Sequence, residues 1–529
     1  MIGVLVETTA VDSEVKTLLN HQTTYAERPS SVECIETHIS WVFLAGRYVY
    51  KLKKPVRYEF LDFSTPALRH AACIDEVRLN RRLAPGVYRK VMPVTESGGR
   101  LTLNGAGTPV DWVVQMQRLP AAAALDRQLQ DGTITDQDTA RLATTLATFY
   151  AQALPLTIRP QQYRDEIQRH VRANLKTLCE LQHGIPPRWV QRACAAQLRF
   201  LKTTQKLLDA RVCDGRIVEG HGDLRPEHIY LTRRPVVIDC IEFSKEFRTL
   251  DVADELAFLA MECDRLGAPA PGEEILQKYR DISGDRPPAI LLDFYKCYRA
   301  CVRAKVHALR AAQLDGDESD TEIQQQRSYL SLADRYASGL GPAHVIVVRG
   351  LMGVGKSTLA TALADALGCE LLQTDAIRRE RYPATHDVLA YGEGAYQADQ
   401  RRCIYDELLR RAADGLGDRL SIIVDGAFLT NDLRDRAGQL AQRLEAVMLD
   451  VHCHCPPDVA KARLQHRIAS GQGLSDARPD LYDRQRADEE PAIACNDVVH
   501  VDTMTSVAAQ VDQVIGRLAD RLRLANGIA

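Results

Sequence analysis

The chain has 529 residues, 45% hydrophobic and 26% charged, with a formal net charge of −3. That length provides for two or three domain cores, and the near-neutral balance excludes a globally polybasic nucleic-acid or membrane-surface protein. No apolar run reaches the roughly 18 residues of a membrane span. Met1–Val6 meets Glu7 without a basic leader, and the fourteen cysteines contain no CxxC pair, which points to reduced thiols in the cytoplasm.

In chain order, Glu33–Lys53 reads as strands around a turn at Ala45-Gly46-Arg47. Arg69–Leu83 has the apolar spacing of a helix, and Val110–Met116 that of a short strand. Residues 135–212 read as mostly helical. Loop and strand signals run from Gly220 to Asp239, and helices continue to about Leu340. Gly339-Leu340-Gly341-Pro342 then breaks the chain. Beyond it, the apolar strands Val345–Val348, Ile422–Val424 and Val447–Leu449 alternate with helical stretches, the pattern of a parallel sheet with crossover helices. The expected division is 1–340 and 341–529.

Gly350-Leu351-Met352-Gly353-Val354-Gly355-Lys356-Ser357 matches G-x-x-x-x-G-K-[ST] at every fixed position, after a strand and before a helix from Thr358. Glycines let backbone N–H groups curl around phosphate oxygens, and the helix N-terminus adds a favourable dipole. Lys356 is the candidate for the β/γ-phosphates and the Ser357 hydroxyl for Mg²⁺. Asp425 closes a strand, where an acid holds the Mg²⁺ shell or merely caps a helix. Asp375 and Arg378 follow the second strand. They suit a proton acceptor and an anion clamp, or else a cap and a solvated charge.

These residues resemble the small P-loop kinases, among them gluconate kinase, shikimate kinase, zeta toxins and polynucleotide kinases, over roughly residues 344–529. The resemblance implies an Asp-x-x-Arg on the substrate and an arginine-bearing lid. Arg463 and Arg467, four apart on one helix face, are the lid candidates, with Ser475–Arg478 beyond. Their alternative is an exposed basic face. His452-Cys453-His454-Cys455 suggests zinc only superficially, because strand alternation sends the two residue types to opposite faces.

The second constellation is His221-Gly222-Asp223-Leu224-Arg225-Pro226-Glu227-His228, followed by Val236-Val237-Ile238-Asp239. Kinase catalytic loops place the hydroxyl-accepting Asp where Asp223 stands, a second-metal Asn where His228 stands, and a metal Asp after a strand, as Asp239 is. His-Gly-Asp, no Phe-Gly after Asp239, and Asp251-Val252-Ala253-Asp254 together resemble the aminoglycoside phosphotransferase and choline kinase family over residues 30–335. His228 departs from it, since Mg²⁺ prefers oxygen ligands. Upstream, Lys51 or Lys53 is the phosphate lysine, with Glu76 as ion partner and Lys51 preferred. An edge strand decorated with lysines is the alternative. The turns at Glu36–Ser40 or Ala45–Arg47 are candidates to cover phosphates, and Gln115–Arg118 to form an adenine hinge.

The expected fold is therefore an α+β bilobal protein kinase-like (aminoglycoside phosphotransferase-like) domain followed by an α/β P-loop NTPase domain with a parallel sheet. The whole chain resembles bifunctional fusions of these two kinds. That implies ATP and Mg²⁺ in both heads, with Gly350, Gly353, Val354, Gly355, Lys356, Ser357 and Thr358 cradling one nucleotide. It also implies small hydroxyl-bearing substrates and neither nucleic acid nor membrane as partner. The rivals are a regulatory, non-transferring head and a zeta-like nucleotide-sugar or polynucleotide kinase. The oligomeric state is left open.

Overall fold

The computed structural model describes residues 4–5, 10–58, 61–381, 398–469, 479–491 and 498–525. Backbone contacts divide the chain into two compact units. One is Met1–Arg159 with Ala210–Arg299, and the other is Pro160–Asp209 with Ala300–Ala529.

The first unit contains a six-stranded antiparallel sheet. Its strands are β1 (Val32–Glu36), β2 (Ser40–Ala45), β3 (Tyr48–Lys53), β4 (Tyr88–Ser97), β5 (Arg100–Leu103) and β6 (Thr108–Gln117). Their order is β1-β2-β3-β6-β4-β5, so β3 is central, with Lys51 opposite Val42 on one side and Val114 on the other. Helix α1 (Pro66–Asn80) starts where Thr65 caps the Leu68 N–H and Pro66 presets the first turn. Its Cys73 and Val77 pack against Val49, Val114 and Met116 of the sheet, which turns Glu76 inward on the same face.

The rest of this unit is mostly helical. Helix α2 (Asp136–Gln152) opens with a reciprocal Thr135/Asp138 capping box. Strand β7 (Ile217–Glu219) pairs antiparallel with β8 (Thr249–Asp251), and together they frame the loop carrying Asp223. Helix α3 (Val252–Arg265) follows, capped by Asp251 and buried along almost its whole length. A helix buried on nearly all sides is a core element, and its charged residues Asp254, Glu255 and Glu262 need partners.

The second unit contains a five-stranded, wholly parallel sheet. Its elements are β9 (His344–Arg349), α4 (Lys356–Leu367), β10 (Glu370–Gln373), α5 (Thr374–Arg381), α6 (Ala398–Gly417), β11 (Ile422–Asp425), α7 (Asn431–Arg443), β12 (Val447–His454), α8 (Pro457–Ala469), α9 (Pro479–Ala487), β13 (Val498–Asp502) and α10 (Val507–Ala525). The strand order is β10-β11-β9-β12-β13. Both faces of β9 and β11 are covered, as their uninterrupted apolar sequences require: Ile346 and Val348 join one cluster, Val345 and Val347 the other.

Residues 160–209 and 300–340 cluster by backbone contacts with this second unit, and the division crosses the helices Gln205–Cys213 and Ala289–Ala311. Helix Pro187–Thr203 rests on α4 and α10, and Leu198 approaches Gly368 at the end of α4. Buried Arg199 donates to the carbonyls of Leu340, Gly341 and Pro342 at 2.9–3.1 Å. The Gly-Pro breaker is thus a chain turn inside a packed unit. This contact spans more than 140 residues, which local punctuation cannot show.

Candidate functional sites

In the first unit, β3 carries Lys51 and Lys53 on one side, as alternation requires. Lys51 Nζ lies 2.9 Å from Glu76 Oε1 and 2.6 Å from Asp239 Oδ1. Lys53 Nζ lies 2.7 Å from Glu76 Oε2 and bonds Glu242. Glu76 thus partners both lysines, and Lys51 is the one that reaches the metal-acid candidate. Burial pushes the Lys51 ammonium down, but Asp239, Glu76 and Glu242 raise it well above the usual lysine range. Burial also pushes Asp239 up, yet Lys51 and His228 hold it well below the usual carboxylate range. Glu242 is raised by burial despite Lys53. Two lysines face three carboxylates here, and Glu242 is the one whose charged form burial disfavours.

Asp223, His228 and Asp239 come together. His228 Nδ1 lies 2.9 Å from the Asp223 carbonyl and 3.5 Å from its Oδ2, while Nε2 lies 3.6 Å from Asp239 Oδ2. Arg225, not singled out from the sequence, sits 3.0 Å from Asp223 Oδ1 and 3.2 Å from His228 Nε2. Asp239 takes a left-handed backbone (φ 63°) and its N–H donates to the Tyr88 hydroxyl at 3.0 Å. A non-glycine residue there is strained, the kind of strain that packing holds at functional sites.

The loop is built from below by residues the sequence reading missed. Glu255 on α3 accepts the N–H groups of His221 (2.9 Å) and Gly222, and the Tyr150 hydroxyl (2.7 Å). His221 is buried; its Nε2 lies 2.9 Å from the Ile238 carbonyl, and burial lowers its pKa. Asp251 and Asp254 are structural: Asp251 pairs with Arg211 (2.7 Å), which also holds Asp285, and Asp254 with Arg299 (2.6 Å). At the expected hinge, the Gln117 N–H donates to Val87 O and the Arg118 N–H to Arg47 O. The Ala45–Arg47 turn therefore lies beside the hinge, and the Glu36–Ser40 turn at the Lys53 end of the hairpin.

In the second unit the phosphate loop joins β9 to α4. Gly350, Gly353 and Gly355 have φ of 136°, 77° and 100°. A Cβ at Gly350 would lie 2.4 Å from the Cys453 carbonyl, and one at Gly353 2.6 Å from that of Ala460. The loop can coil this tightly only with glycine. Lys356 Nζ donates to Leu351 O at 2.8 Å. A cleft of about 860 Å³ opens here, lined by Lys356, Ser357, Thr358, Asp425, Asp375 and Arg378, among others. Asp425 ends β11 in register with Val348 and Gln373, and Gln373 Nε2 donates to its Oδ2 at 3.0 Å. Ligands bind at such strand ends in open α/β sheets. Asp375 and Arg378 are ion-paired at 2.8 Å.

Arg463 and Arg467 both line the cleft. Arg463 donates to the Val354 carbonyl (3.3 Å) and to Thr503 Oγ1 (3.0 Å) and O (2.9 Å), so it braces the phosphate loop against the end of β13. Ser475–Arg478 lie outside the described residues. Arg401, Arg402, Arg436 and Gln485 also line the cleft, and no sequence signal marked them. On β12, Cys453 is buried while His452 and His454 lie on the other face, where His452 Nδ1 meets His500 Nδ1 at 3.4 Å. Among the described residues no three side chains form a metal-binding group.

Fold and sites together define the class: one unit carries a kinase-type catalytic-loop pattern beside an antiparallel sheet, and the other a P-loop at the end of a parallel sheet. The family model described as "AAA domain" matches residues 345–492. The chain is 31% identical over 458 residues to "Uncharacterized protein Rv2004c" of Mycobacterium tuberculosis (strain ATCC 25618 / H37Rv), covering 85% of this chain and 88% of that protein. It belongs to the same family as that protein. Among solved structures, a gluconokinase from Sinorhizobium meliloti 1021 is 24% identical with a TM-score of 0.26, covering 35% of this chain and 97% of its own. A choline/ethanolamine kinase family protein from Mesorhizobium loti is 13% identical with a TM-score of 0.36, covering 61% and 98%. Among the described residues no helix is long and apolar enough to cross a membrane.

Proposed function

We propose that the chain is a bifunctional, cytoplasmic, ATP-dependent phosphotransferase that acts on hydroxyls of small molecules of sugar, sugar-acid or amino-sugar type. One observation carries this reading. Each unit holds its own lysine, metal-site acid and candidate acceptor acid: Lys51, Asp239 and Asp223 in one, Lys356, Asp425 and Asp375 in the other.

In the kinase-like head, Asp223 orients or deprotonates the acceptor hydroxyl. Lys51, positioned by Glu76, turns from Asp239 to the α/β-phosphates. Asp239 Oδ2 and His228 Nε2, 3.6 Å apart, would hold one divalent cation once Arg225, 3.2 Å from that Nε2, gives up its hydrogen bond. When bound, Mg²⁺ would supply positive charge that offsets the charge on the phosphates. In the P-loop head, backbone N–H groups from Gly353 to Thr358 cradle the phosphates and Lys356 spans β and γ. Ser357 and Asp425 would hold Mg²⁺. Asp375 accepts the hydroxyl proton, Arg378 holds an anionic part of the acceptor, and Arg463 and Arg467 offset charge on the transferring group.

The test is transfer from ATP labelled at the γ-phosphate into a pooled metabolite extract, read by mass. Wild type is compared with Asp223→Ala and Lys356→Ala. Products lost separately in the two variants support two active heads. Products lost only with Lys356→Ala support a second reading, in which the kinase-like head binds nucleotide and regulates. The closed Lys51–Asp239 pair and His228 at the usual Asn position favour that alternative. No labelled product in any arm refutes both.

A further inference from the structure

Gln485 on α9 accepts the backbone N–H of Met352 at 2.7 Å. A backbone N–H can only donate, so the accepting atom is the carboxamide oxygen. Pinning that oxygen leaves the two amide N–H donors for a second partner, and Gln485 lines the same cleft as Lys356, Asp425, Asp375 and Arg378. Met352 lies in the opening half of the phosphate loop. The loop runs from there to the α4 N-terminus, where the α/β-phosphates sit. A donor held at Met352 therefore stands at the terminal-phosphate end.

The helix that carries Gln485 is fixed. Leu481 and Tyr482 are buried, and Asp483 pairs with Lys461 at 2.7 Å. The following Glu490 is tied on three sides. Its N–H donates to Leu429 O, its side chain accepts the Asn431 N–H, and its carbonyl accepts Arg434 Nη2, all at 2.7–2.9 Å. A donor on so constrained an element is preorganised, the condition under which it stabilises developing charge.

We propose that Gln485 contacts the γ-phosphoryl group in the P-loop head, as a neutral donor held in place by the loop's own Met352 amide. The inference rests on the P-loop reading above and requires no acceptor for its test. Binding of Mg·ADP and of the non-hydrolysable Mg·AMP-PNP is measured by calorimetry on the full chain, with Lys356→Ala defining the part due to this head. Gln485→Ala is expected to weaken AMP-PNP by about 10- to 100-fold, the loss of a hydrogen bond to a charged group, and to leave ADP within about twofold. Gln485→Glu keeps an oxygen for Met352 but sets a carboxylate against the γ-phosphate, so it too should weaken AMP-PNP selectively. Equal weakening of both nucleotides, or of neither, by both variants overturns the inference. Wild type with no Lys356-dependent binding of either nucleotide refutes the P-loop reading itself, and the two failures are thereby distinguished.

Discussion

Glu76→Gln should destabilise the first unit strongly, because that carboxylate is the shared partner of two buried ammonium groups. Lys53 and Glu76 have fully buried side chains and that of Lys51 is 10% exposed, with contacts of 2.7 and 2.9 Å. Removing one member of a buried ion pair costs about 3–5 kcal/mol, since the remaining charge stays desolvated. Asp239 and Glu242 remain to share the two lysines, which places the expectation at the lower end, about 3 kcal/mol. Urea unfolding reads this, followed by tryptophan fluorescence in a Trp189→Phe background, so that only Trp41 and Trp112 of the first unit report. At about 2–3 kcal/mol per molar of urea the midpoint falls by roughly 1–1.5 M. The sign with pH also follows. Burial raises the Glu76 carboxyl, but Lys51 and Lys53 more than reverse that and hold it below its ordinary value. Its contribution is therefore present above the unfolded pKa of about 4.3 and lost as pH falls through the depressed folded value, so the deficit of the variant narrows in acid. A midpoint shift below about 0.3 M at neutral pH would show that the lysines are sufficiently paired without Glu76, and the charge argument would be wrong.

Three further outcomes follow from the same geometry. Glu255→Gln should cost about 2–3 kcal/mol, because an amide cannot accept as a carboxylate does from His221, Gly222 and Tyr150; the same fluorescence titration measures it. Gly353→Ala should abolish Lys356-dependent nucleotide binding, since its Cβ would lie 2.6 Å from the Ala460 carbonyl at a φ of 77°. Circular dichroism should show the fold retained. His228→Asn supplies an oxygen donor for the imidazole and should shift metal preference in the kinase-like head from Mn²⁺ towards Mg²⁺, as read by nucleotide binding at varied metal concentration in a Lys356→Ala background.

The phosphate loop was legible because its chemistry constrains local backbone: glycines at three left-handed positions, a lysine and a hydroxyl must follow in order. The alternation of β3 told that Lys51 and Lys53 share a face, but not that Lys51 alone reaches Asp239, a contact across 188 residues. Glu255 was illegible for the same reason. It lies 34 residues from the loop it supports and looks, in sequence, like any charge on a helix. Gln485 is 133 residues from its partner. The helices over 160–209 were recognised as helices from their period, but their unit is set by which apolar faces meet, and period carries no such information.

The two heads differ in what their phosphate lysines must surrender. Lys356 donates to a neutral carbonyl, that of Leu351, and gives up one ordinary hydrogen bond when a phosphate arrives. Lys51 is closed between two carboxylates, Glu76 and Asp239, and Asp239 is also the acid proposed above for the metal. For Lys51 to reach phosphate, Asp239 needs a positive partner in place of the ammonium, and in the proposed reaction the divalent cation would be that partner, beside His228. Nucleotide binding in the kinase-like head should therefore depend steeply on the metal, with chelation abolishing it. Binding through the P-loop should persist, weakened, on backbone N–H groups and Lys356. Titrating ATP with and without EDTA against Lys356→Ala and Lys51→Met separates the two. Metal-independent binding that survives Lys356→Ala and is lost with Lys51→Met would mean that Asp239 does not gate Lys51.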